Sequence, residues 1–271
     1  MKKDLPIDYV SINKKSWNER TAIHLTSDFY DNESFIQSNR NSLNTIELDL
    51  LGDLSNQSAL HLQCHFGQDT ISLERLGATT AIGVDLSDEA IKAAQMLAQQ
   101  TQSKAKFICC DLYDLPQHLD QEFDLVFSSY GTIGWLPDLD KWAQLIHKSL
   151  KKNGRFVFAE FHPVVWMFDD NFTHIKHNYF KELPILEETE TYTDSHTEVI
   201  KHQSVNWNHS LGEVLSSLLK VGLQLEFFQE YDYSPYTCFD HVKEVAPGKF
   251  CIPHIGQKIP MVYALVARKT Y

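Results

Sequence analysis

The sequence predicts a doubly wound α/β domain built on a parallel sheet. Three observations carry this expectation. Residues Ser58 to Leu86 read as strand, tight turn, helix and strand, and the second strand ends on the acidic Asp85. Strands and helices then alternate through His162. After a long irregular stretch, helix and strand patterns resume at Ser210.

In the opening unit, Leu60 and Leu62 lie on a short apolar run. Gly67 opens a helix in which Phe66, Thr70, Leu73 and Leu76 recur at spacings of three and four, and Gly77 stands where a left-handed residue ends it. Ala81 to Val84 form the second strand. Ser87 is a natural N-cap for the next helix, with Asp88 and Glu89 in its first turn and Ile91, Ala94 and Leu97 as its buried stripe. Lys106 to Cys110 give a third strand ending at Asp111, and Phe123 to Ser128 a fourth ending at Ser129-Tyr130. Leu139, Trp142, Ile146 and Leu150 mark a helix stopped by Asn153-Gly154, and Arg155 to Phe161 a fifth strand ending at His162-Pro163. Ligands of such folds sit beyond the carboxyl ends of the strands.

Residues 1–57 precede the first core strand and are expected as a helical cap over the main domain. A helix fits Ser11 to His24 and another Asn41 to Leu51, with Phe29, Tyr30 and Phe35 in a polar loop between them. Residues 58–162 form the ligand-binding core. Residues 163–208 break the pattern; Asn178 to Phe180, Thr189 to Tyr192 and Val199 to Val205 suggest short antiparallel strands, and a long insertion at the ligand end of a sheet reads as a lid. Residues 209–271 return to the core: Ser210 and Glu213 make a capping box, Leu223 to Phe228 a sixth strand, Tyr233 to Pro260 a covering loop, and Met261 to Ala267 the last strand.

Composition narrows the function. The chain has 271 residues, enough for one α/β domain with an insertion, and its net charge of −12 with scattered lysines disfavours duplex nucleic acid as a partner. Five cysteines, an odd number with Cys109 and Cys110 adjacent and no C-x-x-C, suit a reducing compartment. No apolar run approaches the ~20 residues of a membrane span, and the opening MKKDLPIDYV lacks the apolar centre of a signal peptide, so a cytoplasmic protein is expected. His61, Cys64 and His65 lie close together, but without a second ligand pair no metal site is expected.

At these residues the chain resembles the class I S-adenosylmethionine-dependent methyltransferases, over roughly residues 58–162 with the helix and two strands after 210 completing the fold. The motifs are the turn His61-Leu62-Gln63-Cys64-His65-Phe66-Gly67, the segment GVDLS containing Asp85, Cys110-Asp111-Leu112, and FDLVFSSY. Family members carry an acidic residue and three glycines in the first turn; here only Gly67 is kept, and His61 occupies the acidic position, where it is expected to support the turn. The variants LHLQCHFGQDT, GTIGWLPDL and EFHP are similar to a bacterial small-molecule-type subgroup. The resemblance implies a Rossmann-like, doubly wound, seven-stranded mixed sheet whose sixth and seventh strands are antiparallel, with the lid inserted after the fifth. It implies S-adenosyl-L-methionine as cofactor and a small-molecule acceptor. Asp85 would bind the ribose, Asp111 the adenine amino group, and Leu86 and Leu112 would flank the ring. The turn through Gly67 would approach the methionine end, and Ser129 is a further expected cofactor-binding residue. Gln63 and His65 would obstruct the pyrophosphate of a dinucleotide but can donate hydrogen bonds to a carboxylate, which weighs against the rival nicotinamide-dependent oxidoreductase. A non-catalytic S-adenosylmethionine binder is the other alternative. Tyr130, His162 and Trp166 follow strand ends and are expected to face the crevice, with His162 a candidate general base.

Overall fold

The computed structural model describes residues 7–189, 202–239 and 242–271. Helix α1 (Tyr9–His24) starts at Asp8, whose carboxylate accepts the Ser11 N–H. The loop expected after it contains a helix, α2 (Asn32–Ser38), capped by Asp31. Seven residues with few apolar positions leave little periodicity to read; what holds α2 is Phe35, fully buried, with the Arg75 guanidinium 4.1 Å over its ring. Helix α3 (Thr45–Leu51) begins four residues later than expected, because Asn44 and Glu47 form a capping box there.

The core follows as β1 (Ser58–Leu62), α4 (Gln68–Arg75), β2 (Thr80–Asp85), α5 (Asp88–Gln100), β3 (Lys106–Cys109), the short α6 (Leu115–His118), β4 (Phe123–Ser129), α7 (Leu139–Ser149) and β5 (Leu150–Phe161). The insertion holds one antiparallel pair, β6 (Ile185–Thr189) and β7 (His202–Asn206). Asn178 to Phe180 are not a strand; of the strands expected at 189–192 and 199–205, Thr189 ends β6 and residues 202–205 lie in β7, while residues 190–201 fall outside the described residues. Then come α8 (Leu211–Lys220), β8 (Leu223–Tyr231), β9 (Lys243–Ala246), β10 (Lys249–Cys251) and β11 (Val262–Lys269). The covering loop thus contains a small hairpin, β9–β10.

The main sheet has seven strands in the order β3-β2-β1-β4-β5-β11-β8. The first five are parallel and β11 runs antiparallel to both β5 and β8, as expected. Every residue of β1 is buried, as a strand covered on both faces requires. Alternate residues serve opposite faces: Leu60 and Leu62 pack with Trp142, Ile146 and Leu218, while Ala59 packs with Leu51 and Leu73. Strand order reverses at β1, which has β2 on one side and β4 on the other; a crevice opens there in doubly wound folds. No helix among the described residues is long and apolar enough to cross a membrane.

Candidate functional site

A cavity of about 390 Å³ lies at this reversal point, lined by the turn after β1 and the ends of β2 and β4. The turn keeps the backbone of a glycine-rich loop without the glycines. Gln63 (φ 55°), His65 (φ 50°) and Gly67 (φ 86°) are all left-handed, which costs a non-glycine residue about 1–2 kcal/mol. Gly67 has a further constraint: a Cβ there would come within 2.6 Å of the Phe107 ring and 2.9 Å of Ala94. The turn is fixed to β2, since Cys64 N–H donates to Val84 O (2.9 Å) and His65 N–H to Asp85 Oδ2 (2.8 Å). His61, buried beneath it, places Nδ1 2.9 Å from the Thr70 hydroxyl, which ties β1 to α4.

The side chains of Gln63 and His65 are engaged within the protein. Gln63 Nε2 donates to Thr132 O (2.8 Å), while its Oε1 is buried without a partner. His65 Nε2 lies 3.3 Å from His24 Nδ1, and its ring packs against Trp17, Tyr30 and Phe66. One N–H of Gln63 and Nε2 of His65, both expected to serve a carboxylate, are thus engaged inside the protein. What Gln63 leaves without a partner at the cavity is an acceptor.

Asp85 and Leu86 line the cavity at the end of β2, and Cys110, Asp111 and Leu112 beyond the end of β3. Asp85 spends one oxygen on His65 N–H and the other on Ser87 N–H (2.9 Å). Burial raises its pKa against the pull of these donors. Asp111 caps the turn Leu112–Asp114, accepting the Tyr113 N–H at 3.0 Å.

Across β1, the lining comes from Ser129, Tyr130, Gly131 and Thr132 after β4, from Asp69 in the first turn of α4, and from Ser42, Asn44 and Glu47. Ser42 donates to Asp69 Oδ1 (2.6 Å) and Ser129 lies 3.4 Å from Asp69 Oδ2. Tyr130 O–H donates to Glu47 Oε2 at 2.7 Å. Burial raises the pKa of both carboxylic acids, and burial with the neighbouring Glu47 raises that of the Tyr130 phenol. The strand-end loop owes its shape to Glu160 on β5. This 1 % exposed carboxylate accepts the backbone N–H groups of Gly131, Thr132, Ile133 and Phe161 and the Thr132 hydroxyl.

His162 and Trp166 are not brought to this cavity. His162 is 3 % exposed; its Nε2 lies 2.9 Å from Glu230 Oε1 on β8, and its Nδ1 accepts the Val164 N–H. The reason is topological. β11 pairs with β5 up to Phe161, and His162 N–H donates to Met261 O, so the antiparallel half of the sheet closes over this strand end. Burial outweighs Glu230 and lowers the His162 pKa. Trp166 instead packs on Phe161 and Phe239.

The cover over the cavity also draws on a region not expected there. Among the described residues, none of the insertion lines it. Its outer wall is the N-terminal region, from Tyr9, Asn13 and Trp17 on α1 to Phe29, Tyr30 and Arg40, joined by Tyr236. The insertion braces that wall: Asn13 Nδ2 donates to Val205 O and Asn13 Oδ1 accepts Val205 N–H, both at 2.8 Å.

Residues 59–154 match the family model of the methyltransferase domain. Over that stretch the chain is similar to the methyltransferase domain. No curated protein matches it. The chain is similar in fold to an S-adenosylmethionine-dependent methyltransferase from Mesorhizobium loti (20% identity, 82% of this chain and 95% of that one, TM-score 0.56). It is similar likewise to one from Clostridium acetobutylicum (15% identity, 94% and 98%, TM-score 0.56). A third is the geranyl diphosphate C-methyltransferase of Streptomyces coelicolor A3(2), solved with Mg2+, geranyl diphosphate and S-adenosyl-L-homocysteine (13% identity, 97% and 98%, TM-score 0.59).

Two of the residues that sequence reasoning passed over carried a readable signal. Glu47 sits in Asn-x-x-Glu, a capping-box pattern, and Glu160 precedes the strand-end Phe161-His162-Pro163. The protein also holds His61 and His65 neutral, burial pushing each pKa down to about 3. In a histidine NMR titration, two imidazoles should therefore show no protonation between pH 8 and pH 5. The unfolded chain takes up these protons near its ordinary value of about 6.5. The pair's contribution to stability is thus complete above that pH. It is lost as pH falls toward 3, by about 1.4 kcal/mol per unit for each histidine. Two ordinary titrations centred near pH 6.5 would contradict the buried neutral state.

Proposed function

We propose that this protein is a methyltransferase that binds S-adenosyl-L-methionine across the end of β1 and passes its methyl group to a small molecule held under the N-terminal wall. The observation that carries the reading is the placement of Asp85 and Asp111 in one cavity with the left-handed turn through Gly67. Asp85 accepts the ribose hydroxyls with lone pairs not used by His65 and Ser87, Asp111 accepts from the adenine amino group, and Leu86 and Leu112 flank the ring. The methionine end lies over Gly67 toward Ser129. Two unpartnered atoms at the cavity suit an amino-acid zwitterion: Gln63 Oε1 is a buried acceptor and Arg40 Nε a buried donor. Asp69, two residues past Gly67, supplies negative charge for the ammonium group.

The cofactor contributes an electrophilic methyl on a sulfonium that is a very good leaving group. The chain's task is to hold donor and acceptor in line, which supplies most of the catalysis. Trp17, Tyr30 and Tyr236 close the cavity from outside and exclude water. Tyr130 and Glu47 are the titratable pair at the acceptor side, and His162 has no part in the reaction. The net charge of −12 and the cysteine pattern support a cytoplasmic enzyme acting on small molecules rather than on nucleic acid.

A thermal-shift measurement tests this reading. S-adenosylmethionine and S-adenosylhomocysteine at a hundredfold excess over Kd should stabilise the protein by about 2.7 kcal/mol, a shift on the order of 5–10 °C. NAD should give none, because Gln63 and His65 stand where a pyrophosphate needs bare backbone. A shift with NAD as large as that with S-adenosylmethionine would restore the oxidoreductase.

A further inference from the structure

We infer that the methyl acceptor is an amine, bound as its ammonium ion between the Glu47 carboxylate and an aromatic wall formed by Phe29, Tyr236 and Tyr130. This rests on the cofactor placement above and adds the substrate class to it.

Glu47 lines the cavity at 1 % exposure. Its Oε1 accepts the Asn44 backbone N–H (3.2 Å) and side-chain amide (3.0 Å), and its Oε2 the Tyr130 hydroxyl (2.7 Å). All three donors are neutral, and no ion pair to Glu47 is formed among the described residues. Asp69 is near enough to add to the local negative potential. A carboxylate taken out of water without a countercharge is unfavourable, and a bound cation supplies what the protein does not. Asp69 belongs with the methionine end, two residues past Gly67. Glu47 reaches the cavity from α3, outside the sheet, and has no such use.

The wall points to the same ligand. Phe29 lies 5.5 Å from Tyr236, and Tyr236 5.3 Å from Tyr130, ring centre to ring centre. Together they form a continuous aromatic surface at the cavity beside a carboxylate, and ring faces attract ammonium groups. The same lining is hostile to an anion. It contains no lysine among the described residues, and its arginine, Arg40, has Nη2 committed to the carbonyls of Tyr30 and Asp31 and its Nε assigned above to the cofactor's carboxylate, which leaves no cation for the acceptor. A free diphosphate would meet Glu47 and Asp69 instead of cations, and among the described residues no group of three or more His, Cys, Asp or Glu side chains is placed to hold a metal ion that would carry it.

The chemistry balances with these groups. The ammonium ion loses one proton to the Tyr130 oxygen as the Tyr130 proton moves to Glu47 Oε2. The freed nitrogen lone pair attacks the methyl carbon; the N–C bond forms, the S–C bond breaks, and its electron pair leaves on sulfur. The product departs as a methylated ammonium ion, and Glu47 returns its proton to solvent. Burial, which raises the Glu47 pKa, suits it to accept that proton.

The test uses the full-length protein saturated with S-adenosylhomocysteine, with benzylammonium, benzyl alcohol and benzoate as millimolar probes of equal size. Benzylammonium should raise the melting temperature more than the other two. Glu47→Gln, which retains the acceptor for Asn44, should bind S-adenosylhomocysteine as before and lose at least tenfold in benzylammonium affinity. Tyr130→Phe serves as a second variant should Glu47→Gln unfold; it should slow transfer with benzylammonium affinity changed less than threefold. In parallel, cofactor carrying a trideuterated methyl group is incubated with cation-exchange-retained and unretained fractions of a bacterial metabolite extract. Label should appear on nitrogen in the retained fraction. The inference is overturned if the three probes act alike, including no effect from any, or if label goes only to unretained compounds or to none. Failure of the cofactor reading is separate: S-adenosylhomocysteine alone would not shift the melting temperature.

Discussion

Replacing Asp85 by Ala should weaken S-adenosylmethionine binding about a hundredfold, equivalent to about 2.8 kcal/mol. One or two charge-assisted hydrogen bonds to the ribose account for a loss of that size. The structure adds a second route to the same loss. Asp85 also accepts the His65 and Ser87 N–H groups, so its removal loosens the turn on which the methionine end rests. Asp85→Asn separates the two contributions: one side-chain oxygen still accepts a backbone N–H, but the charge is gone. Calorimetric titration with the cofactor reads the affinity, and a melting curve reports whether the turn has destabilised the fold. Unchanged affinity in a natively folded Asp85→Ala protein would remove the ribose assignment.

Glu160→Ala should cost about 4 kcal/mol of stability in urea unfolding, because a buried carboxylate holds four backbone N–H groups and a hydroxyl. Each donor left buried without a partner costs about 1–3 kcal/mol, and water entering the space recovers part of that. Cofactor affinity should fall as well, since Glu160 holds the loop carrying Gly131 and Thr132, and Gln63 hangs on Thr132 O. Glu160→Gln should be intermediate, because one oxygen becomes an N–H2 group facing amide donors. A change below about 1 kcal/mol in Glu160→Ala would show that the loop holds its shape without this carboxylate.

The two substitutions differ in how visible their sites were beforehand. Asp85 stands out in the sequence because the physics is local: an acidic residue at the tip of the second strand of a strand-turn-helix-strand unit has few other uses. Glu160 could be placed on a strand, but the loop it holds, Gly131 to Ile133, lies 27 to 29 residues earlier in the chain. The cap behaves similarly. Period and capping residues marked α1, whereas α2 owes its existence to Phe35 packing under Arg75, a contact across 40 residues.

By itself, the sequence determined the order of the main-sheet strands and the longer helices, the direction of the last two strands through the resemblance, and the positions of Gly67, Asp85 and Asp111 at the ends of core elements. Apolar periodicity and turn chemistry act within a few residues, and these features need nothing more. Tertiary structure alone decided which strand ends stay open. β11 and β8 close over the end of β5 and bury His162 against Glu230, while the end of β4 stays open and presents Tyr130 to Glu47. It also decided that the N-terminal region, rather than the described part of the insertion, walls the cavity. Both outcomes depend on pairings between segments far apart in the chain, set by sheet register and by contacts such as Asn13 with Val205, 192 residues apart. No local pattern encodes a partner at that distance.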